Sequence, residues 1–301
     1  MTLCSDKLKR ARPLLGTIVE ISVHSRYPSD LFAATDHAFK AIEAVQCRMS
    51  FHDPASLLTR INVNAANEPV ATDEQTLRVL QIARDLYSLS DGIFDVTIAP
   101  ELERAGFLPM QNDSDPSSDG SFAEVEILSE GLVRFRRQGI CLDLGGMAKG
   151  FAVDEAVATL QAIGVDAGCV NAGGDLQAFG PDSFIVEIRD PRRPGETLTS
   201  FPIRNQAVAT SGHYFADRLK PGVEIGPFVD PRLQKLVAPV LSVTVVAPDA
   251  VYADALTKVV MIDPKKSFPL LARFNAAALM VDCEGSILCT PNWHATLQTA
   301  A

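Results

Sequence analysis

Residues 141–175 read CLDLGGMAKGFAVDEAVATLQAIGVDAGCVNAGGD, and their order suggests chemistry. An apolar strand is predicted to run into Gly145-Gly146, followed by Lys149, a helix and a second strand. That strand ends in Gly173-Gly174 and Asp175. Glycines let backbone amides approach a phosphate at a helix start, and a lysine adds a point charge. A carboxylate after a glycine turn can reach a ribose hydroxyl or a metal-bound water. Taken alone, both glycine pairs also read as plain tight turns. Neither a P-loop nor a GxGxxG pattern is present.

Three further segments carry candidate groups. SDGIFDVTIAP (90–100) places Asp95 between Phe94 and Val96, and an acid in an apolar strand must be hydrogen-bonded. VATSGHYF (208–215) puts Ser211, Gly212 and His213 at the end of a β-branched strand, where small residues permit close ligand approach. APDAVYADALTKVVM (247–261) sets Asp254 in the first turns of a helix. That carboxylate could favour the helix dipole or hold a hard cation. The structural alternatives are a backbone-satisfied Asp95, a solvated loop His213 and a dipole-pairing Asp254.

The elements that must position these groups follow from periodicity. Residues 14–23 alternate as a strand. A helix is predicted over about 30–48, capped by Ser29 or Asp30, with Leu31, Ala34, Ala38, Ile42 and Val45 on one face. Another covers 73–89 and stops at Asp91-Gly92. Residues 109–121 are rich in Asp, Ser and Pro and read as a surface loop within a single domain spanning 1–301. A hairpin is expected over 122–144, turning at Glu130-Gly131, and a helix from Lys149 to Ile163. Residues 183–190, 200–209 and 240–247 read as strands, 250–262 as a helix and 276–289 as a closing hairpin. Strands and helices mix without strict alternation, so the fold class is α+β.

Composition narrows the function. Among 301 residues, 27 are basic and 37 acidic, a net charge of −10 that argues against a nucleic-acid surface. Six cysteines show no CxxC spacing, and most sit in apolar runs, as free thiols in a reducing compartment do. No apolar run approaches the roughly 20 residues of a membrane span, and no signal peptide is visible. A cytoplasmic chain without membrane insertion is the expectation.

The segments, in order, resemble the ApbE family of FAD:protein FMN transferases. LLGT (14–17), MSFHDPASLLTRIN (49–62), GIFDVTIAP, LDLGGMAKGFAVDEAV, VNAGGD, ATSGHY, VDPR (229–232) and SVTVVAPDAVYADAL carry the resemblance from about residue 12 to 285. It implies an α+β, T-fold-related architecture of mixed or antiparallel sheets with packed helices. It implies FAD as substrate, Mg²⁺ as cofactor, release of AMP, and FMN transfer to a Ser or Thr hydroxyl of an acceptor protein. Leu15 and the Ile93, Phe94 and Asp95 segment would line the FAD pocket, with His52 near the adenine. Asp143 and Lys149 would flank the FAD, joined by Gly173, Gly174 and Asp175. Ser211 and Gly212 would lie by the pyrophosphate. The Gly146 carbonyl and Asp254 would hold the metal.

Three departures matter, one being the loss of the family's Thr-Gly pair, where Leu233-Gln234 stand here. The family's second helix-borne metal ligand stands four residues after the aspartate, where this chain has Lys258, so either Thr257 coordinates after a small helix rotation or the Lys258 ammonium replaces part of the metal's charge. The family's His-x-x-Asp-Pro becomes Pro227-Phe228-Val229-Asp230-Pro231, and His213 is the histidine that could restore the lost imidazole. Catalysis is therefore expected from His213 and Asp254. The alternatives are an FAD pyrophosphatase and a non-catalytic FAD-binding paralogue. The sequence is also compatible with a homo-oligomer.

Overall fold

β-Branched alternation in residues 17–23 puts Val19, Ile21 and Val23 on one buried face. This strand belongs to an eight-stranded antiparallel sheet in the computed structural model, which describes residues 6–25, 30–111, 120–213, 226–238 and 240–298. Its strands are β1 (Asp6–Leu14), β2 (Thr17–Ser25), β3 (Ala167–Ala172), β4 (Asp175–Phe179), β5 (Ala207–Gly212), β6 (Val240–Ala247), β7 (Ala277–Asp282) and β8 (Ile287–Cys289). Spatial order follows chain order throughout, so every strand pairs with its sequence neighbour in the sheet. The α+β class is as expected.

Eight helices are described: α1 (Leu31–Met49), α2 (Leu57–Asn64), α3 (Glu74–Leu89), α4 (Ala99–Arg104), α5 (Ala148–Ile163), α6 (Ala250–Ile262), α7 (Pro264–Arg273) and α8 (Trp293–Gln298). The main core lies between one sheet face and the helical layer, where Phe39, Ile42, Phe151, Leu160 and Leu256 are fully buried. A smaller core on the opposite face joins Leu176, Val208 and Val246 to a hairpin of Phe184–Asp190 and Arg193–Ile203. No helix among the described residues is long and apolar enough to cross a membrane.

Several boundaries differ from the sequence reading. The strand expected over 14–23 is a hairpin, because Leu15 (φ 55°) and Gly16 (φ 70°) turn the chain between β1 and β2. The strand expected over 200–209 breaks at Arg204–Gln206, where Asn205 takes φ 49° and the chain passes from the outer hairpin to the main sheet. Residues 90–98 form turns rather than a strand. The predicted 122–144 hairpin is only Val125–Ile127 with Leu132–Phe135. Residues 141–144 are in no ladder. Asn62 of α2 pairs them instead, its Oδ1 accepting from the Leu142 amide (2.8 Å) and its Nδ2 donating to the Leu142 carbonyl (3.0 Å). Of the predicted loop, 112–119 lies outside the described residues. The helices expected over 30–48, 73–89, 149–163 and 250–262 are present, as are the 240–247 strand and the closing hairpin. Asp30 caps α1 by accepting from Ala33 N (2.9 Å), whereas Ser29 lies outside the described residues.

One contact sets the helical layer. A Cβ on Gly150 would lie 2.2 Å from the Ala250 carbonyl oxygen, so only glycine lets α5 meet the start of α6. One turn further along α5, Asp154 accepts from the Ala250 and Val251 amides at 2.7 and 2.9 Å. It caps α6 from a neighbouring helix, since the Asp249 side chain makes no cap bond. Burial pushes the Asp154 carboxyl up to about 7, against the pull of those two amides.

Two outcomes follow from this junction. Gly150→Ala is expected to destabilise the fold by about 3 kcal/mol, the upper range for overpacking, because the obstacle is backbone; an unchanged urea midpoint would contradict the contact. Between pH 3.8 and about 7 the folded chain keeps an Asp154 proton that the unfolded chain has released. Stability from this group therefore falls as pH rises through that window. Urea titrations across it should show a shallower decline for Asp154→Asn than for the parent.

Candidate functional site

The end of the sheet that holds the β1–β2 and β3–β4 turns gathers most candidate residues. Ala172 pairs with Asp175, so Gly173-Gly174 is a two-residue turn with φ of 69° and 109°. The Gly173 turn packs on Thr17, whose Oγ1 would lie 2.5 Å from a Cβ at Gly173. Nothing lies within 4 Å of a Cβ built on Gly174, which leaves that side open for close approach. β5 pairs with β4 at Ala207–Gln177 and Val208–Leu176, and Ser211 and Gly212 run on towards the glycine turn. Leu15 is partly buried in the first turn, its amide donating to Gln46 Oε1 at 2.6 Å.

Helices α5 and α6 bring the charges. Asp175 and Asp254 are buried, and each carries an ammonium partner. Lys149 Nζ is ion-paired with Asp175 Oδ2 and lies 3.9 Å from Asp254 Oδ2. Lys258 Nζ is ion-paired with Asp254 Oδ1 and donates to the Asp254 carbonyl at 3.0 Å. The carboxylates are 5% and 0% exposed, whereas the Lys149 and Lys258 side chains are 36% and 20% exposed. The negative ends are thus the inner layer, and the lysines reach outwards. Burial and the Asp254 charge push the Asp175 carboxyl up, against the Lys149 ammonium. Burial works against the Lys149 charge, but the two aspartates outweigh it and hold its pKa above the usual lysine value.

Backbone geometry ties this cluster to the glycine segment. The Gly150 amide would continue the helix by bonding back to Gly146. It donates instead to Asp254 Oδ2 at 3.1 Å, and the Gly146 carbonyl accepts no hydrogen bond among the described residues. A Cβ on Gly146 would meet Lys258 Cε and Phe94 Cε2 at 3.8 and 3.9 Å, so Phe94, Gly146 and Lys258 converge. Asp143 is held beside them: its amide donates to the Val96 carbonyl (2.7 Å) and its carboxylate accepts from Gly145 N (2.9 Å). Burial pushes the Asp143 carboxyl up, while the His52 and Lys258 charges pull it down.

Some predicted residues have other work. Asp95 is not on a strand. Its carboxylate accepts from the Thr97 amide (2.8 Å), the Thr97 hydroxyl (2.7 Å) and the Phe122 amide (3.1 Å), as a structural aspartate would. Ile93 is buried in the core beside it. His52 is exposed between α1 and α2, with its ring edge-on to Phe51. Ser211 Oγ lies 2.7 Å from Thr257 Oγ1, which donates to the Asp254 carbonyl at 2.6 Å.

His213 is buried rather than a solvated loop residue. Its Nδ1 accepts from the Gly226 amide at 2.7 Å, its ring meets Phe228 edge-on, and Nε2 has no partner among the described residues. Burial lowers its pKa, which favours the neutral ring. With the Nδ1 lone pair in use, the proton sits on Nε2, and the imidazole is a donor.

The candidate metal donors do not fit a divalent cation as they stand. Mg²⁺ needs oxygen ligands at about 2.1 Å in octahedral array. Both Asp254 oxygens already receive donors, the Thr257 hydroxyl is committed to Ser211 and the Asp254 carbonyl, and a lysine ammonium occupies the carboxylate. No group of three His, Cys, Asp or Glu side chains suited to a metal occurs among the described residues. Sequence reading singled out Lys258 but missed Gly150, Asn62 and Asp154, whose roles depend on which helices meet.

Fold and site together define an α+β protein that presents two lysines, backed by buried aspartates, at the glycine-turn end of an antiparallel meander. The chain belongs to the ApbE family, whose profile matches residues 15–280. It is 28% identical over 307 aligned residues to the FAD:protein FMN transferase of Rhodobacter capsulatus, covering 95% of this chain but only 57% of that longer protein. It is 28% identical to the FAD:protein FMN transferase of Treponema pallidum, over 88% of this chain and 81% of that one. The crystal structure of the ApbE protein from Thermotoga maritima superposes with a TM-score of 0.86 at 27% identity, covering 97% and 99% of the two chains. Flavin transferase ApbE from Vibrio cholerae shares the fold, with a TM-score of 0.81 at 23% identity over 97% and 99%.

The double ion pair yields its own expectation. Lys149→Met leaves Asp175 buried without its ammonium and should cost about 3 kcal/mol, the low end for an orphaned buried charge because the lysine tip reaches solvent. Adding Asp175→Asn should recover at least half of the loss in chemical denaturation. No recovery would show that the pair is not the coupled unit.

Proposed function

We propose that this chain is a flavin transferase that binds FAD, passes its FMN half to a Ser or Thr hydroxyl of an acceptor protein, and releases AMP. The observation that carries this reading is the pair of partly exposed lysines over buried aspartates: Lys149 on Asp175, at the end of the open Gly173-Gly174 turn, and Lys258 on Asp254, beside Gly146. A diphosphate bridge concentrates negative charge, and fixed cations beside it hold the bridge and offset the charge that develops on the leaving phosphate. Family membership and relatives named FAD:protein FMN transferase support FAD as the ligand.

In the proposed reaction the acceptor hydroxyl gives its proton to solvent water as its oxygen forms a bond to the FMN phosphorus. The bond from that phosphorus to the bridging oxygen breaks, and AMP leaves with the electron pair. Lys149 and Lys258 bind the bridge, Asp175 and Asp254 fix those lysines, and the Ser211–Gly212 strand end borders the phosphates. Phe94 and Leu15 contribute apolar surface to the flavin side, with Asp143, Gly173 and Gly174 at the edge and His52 towards the adenine. His213, through its Nε2–H, is assigned to donate to an oxygen of the leaving phosphate. A magnesium ion takes no part in this reaction, because its candidate donors do not fit it as they stand. A second reading, FAD binding or hydrolysis without transfer, is favoured by one observation: the Nδ1 of His213 is taken by Gly226, so that ring cannot accept the acceptor's proton.

Mass spectrometry of an acceptor peptide incubated with protein and FAD tests the proposal, with AMP followed by chromatography. Addition of FMN with matching AMP supports transfer. AMP without a labelled peptide selects hydrolysis, and FAD binding with neither selects the binding reading. His213→Ala should lower transfer by about 10²-fold, the low end for loss of a positioned proton donor, while leaving FAD affinity within twofold. Transfer at the parent rate would remove His213 from the mechanism.

A further inference from the structure

We propose that the Lys258 ammonium takes the place of a divalent cation beside Asp254, so that this chain binds the diphosphate of its ligand without a metal. Diphosphate binding rests on the FAD reading above; exclusion of the metal rests on Lys258 itself.

Lys258 stands four residues after Asp254 on α6, the spacing at which two helix side chains meet. Its Nζ touches both the carboxylate and the carbonyl of Asp254, and its stem passes the Gly146 backbone. The oxygens that could coordinate an ion are therefore those that surround the ammonium. A cation entering here would have to displace the lysine and leave a second positive charge next to itself. Meanwhile Lys149 neutralises Asp175, the other buried carboxylate of the cluster. With both pairs ionised the cluster sums to zero, so it lacks the excess negative charge that draws in a hard cation. The two ammoniums still offer N–H donors on their exposed sides, which suits a phosphate.

The carboxylate cannot release the lysine cheaply. Asp254 is fully buried, and its remaining oxygen is fixed by the Gly150 amide. Removing the ammonium leaves a buried charge that needs a new cation. Lys258→Thr shortens the side chain, opens that space and supplies a hydroxyl oxygen of the kind a hard cation binds. The altered chain should therefore acquire a metal site that the parent lacks.

Mn²⁺ titration of the full-length protein without ligand, read by electron paramagnetic resonance, tests the exclusion directly. Expected are no tight Mn²⁺ site in the parent and one per chain in Lys258→Thr, lost again in Lys258→Thr/Asp254→Asn. Circular dichroism establishes that each variant is folded, and Lys258→Met, which offers no oxygen, should bind no Mn²⁺. One Asp254-dependent Mn²⁺ in the parent, or none in a folded Lys258→Thr, overturns the proposal. FAD binding, followed by flavin fluorescence in EDTA and in Mg²⁺, tests the phosphate half. The parent should bind equally within twofold in both, whereas Lys258→Thr should weaken at least tenfold in EDTA and recover in Mg²⁺. A parent affinity that rises tenfold with Mg²⁺ overturns metal-independent binding. No FAD binding in either condition, with the Mn²⁺ pattern intact, refutes the flavin reading and the ligand half, and leaves the cation replacement standing.

Discussion

The close approach of α5 to α6 at Gly150 is the constraint on which the site depends. A methyl group there would strike the Ala250 carbonyl, so the two helix starts can touch only through glycine. The same residue donates its amide to Asp254, which frees the Gly146 carbonyl and fixes the buried carboxylate in one step. Asp154, one turn along, caps α6. Packing, capping and the placing of a charged group thus share one helix junction, and a change at Gly150 reaches all three.

The cluster at that junction shows how a buried negative layer is tolerated. A carboxylate removed from water is costly unless it is paired and hydrogen-bonded. Asp254 has an ammonium, an amide and a second ammonium 3.9 Å away, while Asp175 has Lys149. Lys149 keeps its charge because the aspartates lie beneath it. Burial alone would push it towards neutrality; Asp175 and Asp254 reverse that. What reaches the outside is positive, although the whole chain carries −10. The sign of a site follows from which ends of its ion pairs face out, and net charge says little about it.

How much of this was legible in the sequence depended on whether the signal was local. The helices over 31–49, 74–89, 148–163 and 250–262 have apolar spacing, caps or a terminal glycine within their own residues, and their boundaries fell within a residue or so of expectation. The glycine turns and the candidate charges were legible for the same reason. Residues 141–144 were misread because their alternation resembles a strand, yet the partner is the Asn62 side chain, far away in sequence. The 200–209 run was misread because two different sheets share one β-branched stretch, and only Asn205 in the left-handed region marks the change. Asp95 was read as lying on a strand because its neighbours are apolar; the turn it builds closes on Phe122, beyond a loop. Family resemblance supplied the residue roles, which periodicity could not.

Replacing a metal ion by an ammonium changes what a site can do as well as what it holds. A divalent ion polarises a phosphoryl oxygen directly, and that effect grows as charge builds towards the transition state. An ammonium is a single charge with three donors, and it offsets less of that developing charge than a divalent ion would. Lys258 thus gives the site a cation that cannot be chelated away, at the expense of the Lewis acidity that favours bond cleavage. His213 offers a donor and no base, since its Nδ1 already accepts from the Gly226 amide. An ammonium in place of a metal thus favours holding a dinucleotide over cutting it. Binding and turnover are therefore separable properties of this chain, and affinity for FAD is no measure of its rate as a transferase.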